Sequence, residues 1–330
     1  MSFTVLISSA GRRVALMDAF RADLVDLGFE GRVLANDMSD LSAAWHSSDG
    51  SFSVPPCSSP DYIERMLAIC AEQEVRLLIP TIDPELPVLG AHCAAFAAIG
   101  TTLHCSDVAT LKIGGDKLST HQWLLSAALP TVDQASPEAV LDAPQDWTWP
   151  LLVKPVFGSS SRGVQTVANP DELALATRGE PYLVQTIAPG EEYTVSCYVD
   201  RSGKGRCAVP RKRLETRAGE VSKGVTFRHD GLENLALKAC ESLPGAWGAM
   251  NIQIFLDADT GAMNIIELNP RFGGGFPLAW RAGARYPRWL IEECLGKPPS
   301  AAQDCWQDGL VMLRWDAAVF VDSEQLESTT

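Results

Sequence analysis

Three groups of residues have the types and spacing to do chemistry. Lys154 closes the apolar run Pro150-Leu-Leu-Val-Lys154-Pro155, and the small-residue loop Val156-Phe-Gly-Ser159-Ser160-Ser161-Arg162-Gly163-Val164 follows at once. Glycine and serine let consecutive backbone N–H groups approach phosphate oxygens, and the lysine adds charge. The loop runs from strand to strand, so it is not the strand-to-helix P-loop, whose Gly-x-x-x-x-Gly-Lys-Ser/Thr spacing is absent. Taken alone, the stretch also reads as an ordinary hairpin loop beside a surface lysine. The second group is Glu267-Leu-Asn269-Pro-Arg271. A carboxylate with a neighbouring amide oxygen suits Mg²⁺, which binds through one or two carboxylates plus phosphates, and the planar fork of Arg271 matches the same phosphates. The third is the basic stretch from Arg211 to Lys223, with Arg228-His229 just beyond, where an anionic substrate would gain charge-assisted hydrogen bonds from Arg213 and Lys223. Gly273-Gly274-Gly275 would turn backbone N–H groups toward the same ligand. A charged edge strand and a plain flexible turn are the bland readings of these last two, and His229 reads as an ordinary surface histidine.

These residues need elements to hold them. Met250, Ile252, Ile254 and Leu256 alternate with Asn251, Gln253 and Phe255, the period of a strand with one buried face. Asp257-Ala-Asp-Thr-Gly261 is turn chemistry, and the return strand carries Glu267. Antiparallel pairing anchored at Asp257 against Met263 sets Gln253 opposite Glu267 and Asn251 opposite Asn269, which adds the Gln253 amide to the cation ligands. Upstream, Thr4–Ser8, 31–36, 52–54 and 76–80 read as strands alternating with helices at 14–24 and 61–73, a doubly wound parallel sheet. Ligands in such sheets sit at the strand carboxyl ends, here Ser9–Arg13, Asn36-Asp37 and Thr81–Glu85. A helix over 116–128 and four prolines between 130 and 150 lead into short strands at 151–154, 163–167, 182–186, 192–199 and 207–214, an α+β pattern.

The chain has 330 residues, enough for about two compact domains, and 46% hydrophobic residues, enough for a sizeable core. A net charge of −14 makes the bulk surface repel nucleic acid and acidic membranes, so no nucleic-acid or membrane partner is expected. No apolar stretch approaches membrane-spanning length and no secretory signal is visible, so a cytoplasmic location is the expectation. Nine scattered cysteines without a Cys-x-x-Cys pair argue against a disulfide framework or a thiolate zinc site.

With these residues in place, the chain resembles the ATP-grasp superfamily, in particular members similar to one half of a carbamoyl-phosphate synthase large chain. The resemblance rests on the Lys154 segment, on Gln185-Thr186-Ile187-Ala-Pro-Gly190-Glu191-Glu192-Tyr193, and on Gln253 with Glu267-Leu-Asn269-Pro-Arg271. It implies a pre-ATP-grasp α/β domain over 1–113, a small nucleotide-lid subdomain over 114–186 and a metal-bearing subdomain over 187–330. It implies that Lys117 and Lys154, with Ser159, Ser160 and Ser161, hold nucleotide phosphates. Gln185, Thr186 and Ile187 would face adenine and Glu192 the ribose. Glu267, Gln253 and Asn269 would hold Mg²⁺ (or Mn²⁺), and Arg271 would meet the transferred phosphate, with Lys154 and Glu267 beside it in catalysis. Gln185 departs from the family's commoner glutamate, and the Ser159-Ser160-Ser161-Arg162 order departs from the synthase loop. Arg213, Lys223 and Gly274 are the expected substrate contacts.

The activity implied is an ATP-dependent, ADP-forming ligase that activates a carboxylate as an acyl-phosphate for attack by an amine. A carbamoyl-phosphate-synthase-like enzyme acting on bicarbonate or carbamate and a non-catalytic ATP-binding module stay open, as does a homodimer. A nicotinamide dehydrogenase would need a dinucleotide fingerprint that Ser8-Ser9-Ala10-Gly11-Arg12 does not supply.

Overall fold

Phe3, Val5 and Ile7 enter one core and Leu6 another, as alternation along a strand demands. The strand is β1 (Ser2–Ser8), and the computed structural model that contains it describes residues 2–156, 163–177, 181–217 and 220–326. With β2 (Glu30–Asp37), β3 (Ser51–Ser53), β4 (Val75–Pro80) and β5 (Thr102–Leu103) it forms a parallel sheet of order β3-β2-β1-β4-β5. The sheet is doubly wound, as expected. The fifth strand, two residues long, was not legible.

One face of this sheet is covered by the helix Tyr62–Glu72. The other packs on the helix Val14–Asp26 and on side chains from far along the chain: Phe272, Phe276, Tyr286, Trp289 and Leu290, none more than 3% exposed. Each such side chain taken from water is worth roughly 2 kcal/mol. The carboxyl-terminal helices Phe276–Ala282 and Tyr286–Cys294 therefore clamp the parallel sheet to the rest of the molecule.

A second sheet, antiparallel, has the order β6-β9-β7-β8, from β6 (Gln134–Ala135), β7 (Leu151–Pro155), β8 (Gln165–Val167) and β9 (Tyr182–Thr186). Val153 and Val184 pack on the short helices Pro137–Asp142 and Pro170–Ala176, the latter starting from an Asn169 cap. Lys154, next along β7, faces the opposite way.

The third sheet, also antiparallel, runs β14-β13-β10-β11-β12-β15: β10 (Glu191–Val199), β11 (Gly205–Arg217), β12 (Glu220–Thr226), β13 (Gly248–Leu256), β14 (Met263–Asn269) and β15 (Val311–Leu313). The helix Asp230–Glu241 buries Leu232, Ala236 and Cys240 against Val195, Cys197, Met250 and Ile252. His229 is its cap: Leu232 N–H donates to the His229 Nδ1 at 3.2 Å.

The β13–β14 hairpin forms, and its cleft end has the expected register, with Asn251 opposite Asn269 and Gln253 opposite Glu267. The anchor at the turn is corrected by one residue, since Met263 pairs with Leu256 and not Asp257. A bulge at Ile266 absorbs the offset, so the two ends disagree by one step.

Candidate functional site

The three sheets meet around a cleft of about 510 Å³, within the usual size of a small-ligand site. Its wall contains Lys117, Lys154, Gln185, Ile187, Glu192, Arg213, Gln253, Glu267, Asn269, Arg271 and Gly274. Two of the expected site residues lie elsewhere. Thr186 is not on the wall, and its N–H donates to the Asp133 carbonyl at 3.0 Å. Lys223 is also off the wall, because antiparallel pairing sets it beside Glu215, whose carboxylate it meets at 2.6 Å on the exposed side. Ser159, Ser160 and Ser161 lie outside the described residues.

Lys154 leaves the end of β7 and is only 7% exposed. Burial pulls its pKa down to about 8, Glu267 opposes the fall and Lys117 adds to it. Lys117 is the first residue of the helix Lys117–Ser126, where Asp116 caps by accepting from the Leu118 N–H at 2.9 Å. Its ammonium donates to the carbonyls of Pro155 at 3.2 Å and Val156 at 3.4 Å, at the mouth of the small-residue loop. Its pKa too is lowered by burial, against the attraction of Glu267, Asp116 and Asp83. Two partly desolvated ammonium groups that both feel Glu267 thus stand on one wall, an arrangement able to receive phosphate oxygens.

Glu267 begins a polar chain. Asn269 Nδ2 donates to Glu267 Oε1 at 3.0 Å, and Arg271 Nη2 donates to Asn269 Oδ1 at 3.1 Å. Arg271 then forks onto Asp83, with Nε–Oδ1 and Nη2–Oδ2 both 2.6 Å. Asp83 belongs to the loop after β4, and that loop is set by Glu85. The Glu85 carboxylate is fully buried and accepts from Ser8 Oγ at 2.7 Å, Ser9 Oγ at 3.0 Å, Tyr62 Oη at 2.9 Å and the Thr81 N–H at 2.8 Å. The parallel sheet thus delivers an acidic group to the arginine of the third sheet.

Gln253 and Glu267 face each other across the hairpin and both line the cleft. Asn269 offers its oxygen to Arg271 and its N–H₂ to Glu267, and so braces the carboxylate. Among the described residues no cluster of three His, Cys, Asp or Glu could hold a metal by protein alone. One carboxylate and one amide fit a divalent cation shared with phosphate oxygens.

At the other end, Gln185 is buried beside Ile187, and Glu192 forms an ion pair with Arg213 across β10 and β11. Burial lowers the Arg213 pKa while Glu267 raises it. Arg213 is therefore engaged by Glu192, the carboxylate expected to face the ribose. Arg211, two residues earlier, faces the same cleft and was missed. Period-two alternation along β11 was the available signal: Arg211 and Arg213 share a face, while Lys212 turns to Glu191 on the other. Asp83 and Arg13 were legible only as parts of polar strand ends.

Comparison with known proteins bears on this arrangement. Residues 5–104 match the family model of the PylC-like N-terminal domain, and residues 178–315 match that of the ATP-grasp in the biosynthetic pathway with Ter operon. The carbamoyl phosphate synthase large chain of Thermotoga petrophila is 22% identical over 69% of this chain, which spans only 23% of that protein's length. A D-alanine–D-alanine ligase of Chromohalobacter salexigens is 28% identical over 54% of this chain and 62% of its own. Among solved structures, the biotin carboxylase domain of the Hydrogenobacter thermophilus 2-oxoglutarate carboxylase, a dimer in complex with MgADP, ADP and bicarbonate, superposes with a TM-score of 0.74 at 16% identity, covering 94% of this chain and 74% of that one. The N5-carboxyaminoimidazole ribonucleotide synthetase of Thermotoga maritima gives 0.66 at 16% identity, covering 91% and 78%. The parallel sheet thus falls in a segment that matches the PylC-like N-terminal domain, and the third sheet, with Glu192, Arg213 and Glu267, falls in the segment 178–315 that matches an ATP-grasp family model, on a fold shared with the biotin carboxylase domain.

Proposed function

We propose that the chain is an ATP-dependent, ADP-forming carboxylate–amine ligase. The observation that carries this reading is the convergence of Lys154, Glu267 and Arg271, from two different sheets, on one cleft that also holds Gln185. Lys117 and Lys154 would bind the phosphate oxygens and recover the charge stabilisation that burial denies them. Gln185 and Ile187 would bind adenine and Glu192 the ribose, with Arg213 orienting Glu192. Glu267 and Gln253 would hold Mg²⁺, which when bound supplies charge neutralisation at the phosphates. Arg271 would shift its fork from Asp83 to the transferred phosphate. A substrate carboxylate oxygen bonds to the γ-phosphorus while the bond from that phosphorus to the bridging oxygen breaks, releasing ADP. The amine then attacks the acyl carbon, phosphate leaves and the amine's proton is lost. The side chains position and neutralise, and no covalent enzyme intermediate is needed. In this reading residues 114–186 act as the nucleotide lid over 187–330, and 1–113 supplies Asp83.

The test is ADP release against a panel of carboxylic acids, each with and without amines, with the amide product identified by mass spectrometry. ADP release that needs both substrates supports the ligase. The bicarbonate held in complex by the Hydrogenobacter biotin carboxylase domain favours one second reading, phosphorylation of bicarbonate, for which bicarbonate alone would drive ADP release. Nucleotide binding without ADP release under any condition would leave a binding module. Because that domain is a dimer, a homodimer is the assembly to look for by light scattering.

A further inference from the structure

Arg211 is 3% exposed, yet no carboxylate among the described residues pairs with it. Its Nη2 donates to Ser196 Oγ at 2.9 Å and Asn251 Oδ1 at 3.3 Å, and its buried Nε–H has no partner. Burial lowers its pKa to about 10, and the like charge of Arg314 pushes the same way. A desolvated cation without an anion is costly, and a fold keeps one where a ligand supplies the missing charge. The glycine loop fits around it: a side chain at Gly275 would collide with Arg211 Nη1, and one at Gly273 would meet the Asn251 amide at 2.8 Å.

Behind Gly273 and Gly274 the cleft continues into a cavity of about 180 Å³, sharing Arg13 and Ile82 with it. Arg12, Arg13 and Arg314 line this cavity. Arg314 also fixes the glycine loop by donating to the Gly274 carbonyl at 2.9 Å. This cavity shares Gly273 and Gly274 with the cleft wall that carries Arg271. Resting on the ligase reading, we propose that Arg211, with the Arg13 and Arg314 cavity, binds a spectator oxyanion: a carboxylate or phosphate that a substrate carries in addition to the group that reacts.

The experiment uses the full chain with Mg·ATP and reads ADP release for matched substrates, each offered with the panel of co-substrates. The pairs are succinate against its monoamide, an α-amino acid against its amide, and phosphoethanolamine against ethanolamine, with MgADP binding measured by calorimetry alongside. The oxyanion-bearing member is expected to have a kcat/KM about 100-fold higher. Preference in the first pair places the spectator on the activated carboxylate substrate, and preference in the others places it on the amine. Arg211→Gln is expected to abolish the preference through KM while changing MgADP affinity less than about threefold. Arg211→Met, which removes the buried charge, is expected to keep or raise the melting temperature, so loss of preference in it is not loss of fold. Equal use of both members, or a preference that survives Arg211→Gln, overturns the proposal. If no pair is turned over, inorganic phosphate added to the MgADP-loaded chain decides. Binding weakened about tenfold by Arg211→Gln supports the oxyanion site, and absence of binding overturns it. A chain that binds no MgADP would overturn the ligase reading and this proposal together, whereas MgADP binding without discrimination overturns this proposal alone.

Discussion

Lys154 offers a test that reads proton counts as well as rates. Burial lowers its pKa from the ordinary 10.5 to about 8, against the attraction of Glu267. At about 1.4 kcal/mol for each pH unit, the displacement corresponds to roughly 3 kcal/mol of native-state cost borne by the ligand-free protein near pH 7. The sign follows from proton binding. Between about pH 8 and 10.5 the unfolded lysine holds its proton and the folded one does not, so stability rises with pH through that window and the cost is fully present below it. Lys154→Met should therefore stabilise the ligand-free chain by up to about 3 kcal/mol at pH 7, read by urea denaturation. A nucleotide phosphate beside Lys154 restores its charge. At pH 8.5 the free chain holds the proton about a quarter of the time, so binding MgADP should take up about 0.7 proton at this site and almost none at pH 6.5. Calorimetry in buffers of different ionisation enthalpy measures this directly, and the Lys154→Met chain should lack that share. A binding enthalpy independent of buffer at pH 8.5, or an uptake undiminished in Lys154→Met, would refute the placement of phosphate on Lys154.

Three further outcomes follow from the same geometry. Glu267→Gln should lower ADP release by about 100-fold or more, and it should also drop the Lys154 pKa below about 8, because Glu267 is what now opposes the fall; the pH profile of MgADP binding reports this. Asp83→Asn removes the charge that competes for Arg271 in a partly exposed pair, so a non-hydrolysable Mg·ATP analogue should bind tighter by up to about fivefold in calorimetry. Arg285→Met leaves the fully buried Asp23 carboxylate with only the Trp280 and Arg288 donors, which should cost about 3 kcal/mol in urea denaturation and be partly rescued by Asp23→Asn.

What could be read from the sequence was set by distance along the chain. The β13–β14 hairpin was legible because alternation and turn chemistry are local, and the pairing of Gln253 with Glu267 followed. Even there, the bulge at Ile266 was invisible, since a single extra residue leaves no mark on composition. The parallel sheet was legible from its apolar runs, but not the clamp formed by Phe276, Tyr286 and Trp289, whose partner surface lies more than two hundred residues away. β15 was missed because it is a three-residue edge strand with a largely exposed pattern, and β12, one strand in, because Glu-Val-Ser-Lys-Gly-Val-Thr carries too mixed a pattern to separate from loop.

The basic stretch shows how a correct chemical expectation can attach to the wrong side chains. Its charges were read as one cluster, whereas a strand sorts them by parity. Arg211 and Arg213 go to the cleft, Lys212 goes to Glu191 on the far face, and Lys223, on β12, is drawn to Glu215 by pairing register. Of the two that reach the cleft, Arg213 meets Glu192, and among the described residues Arg211 meets only a hydroxyl and an amide. Electrostatics then assigns their tasks. A paired cation orients its carboxylate, while an unpaired, desolvated one is the group whose energy falls most when an anion arrives. Burial of a charge without a partner, more than the number of charges in a segment, is what marks the anion-binding end of this cleft.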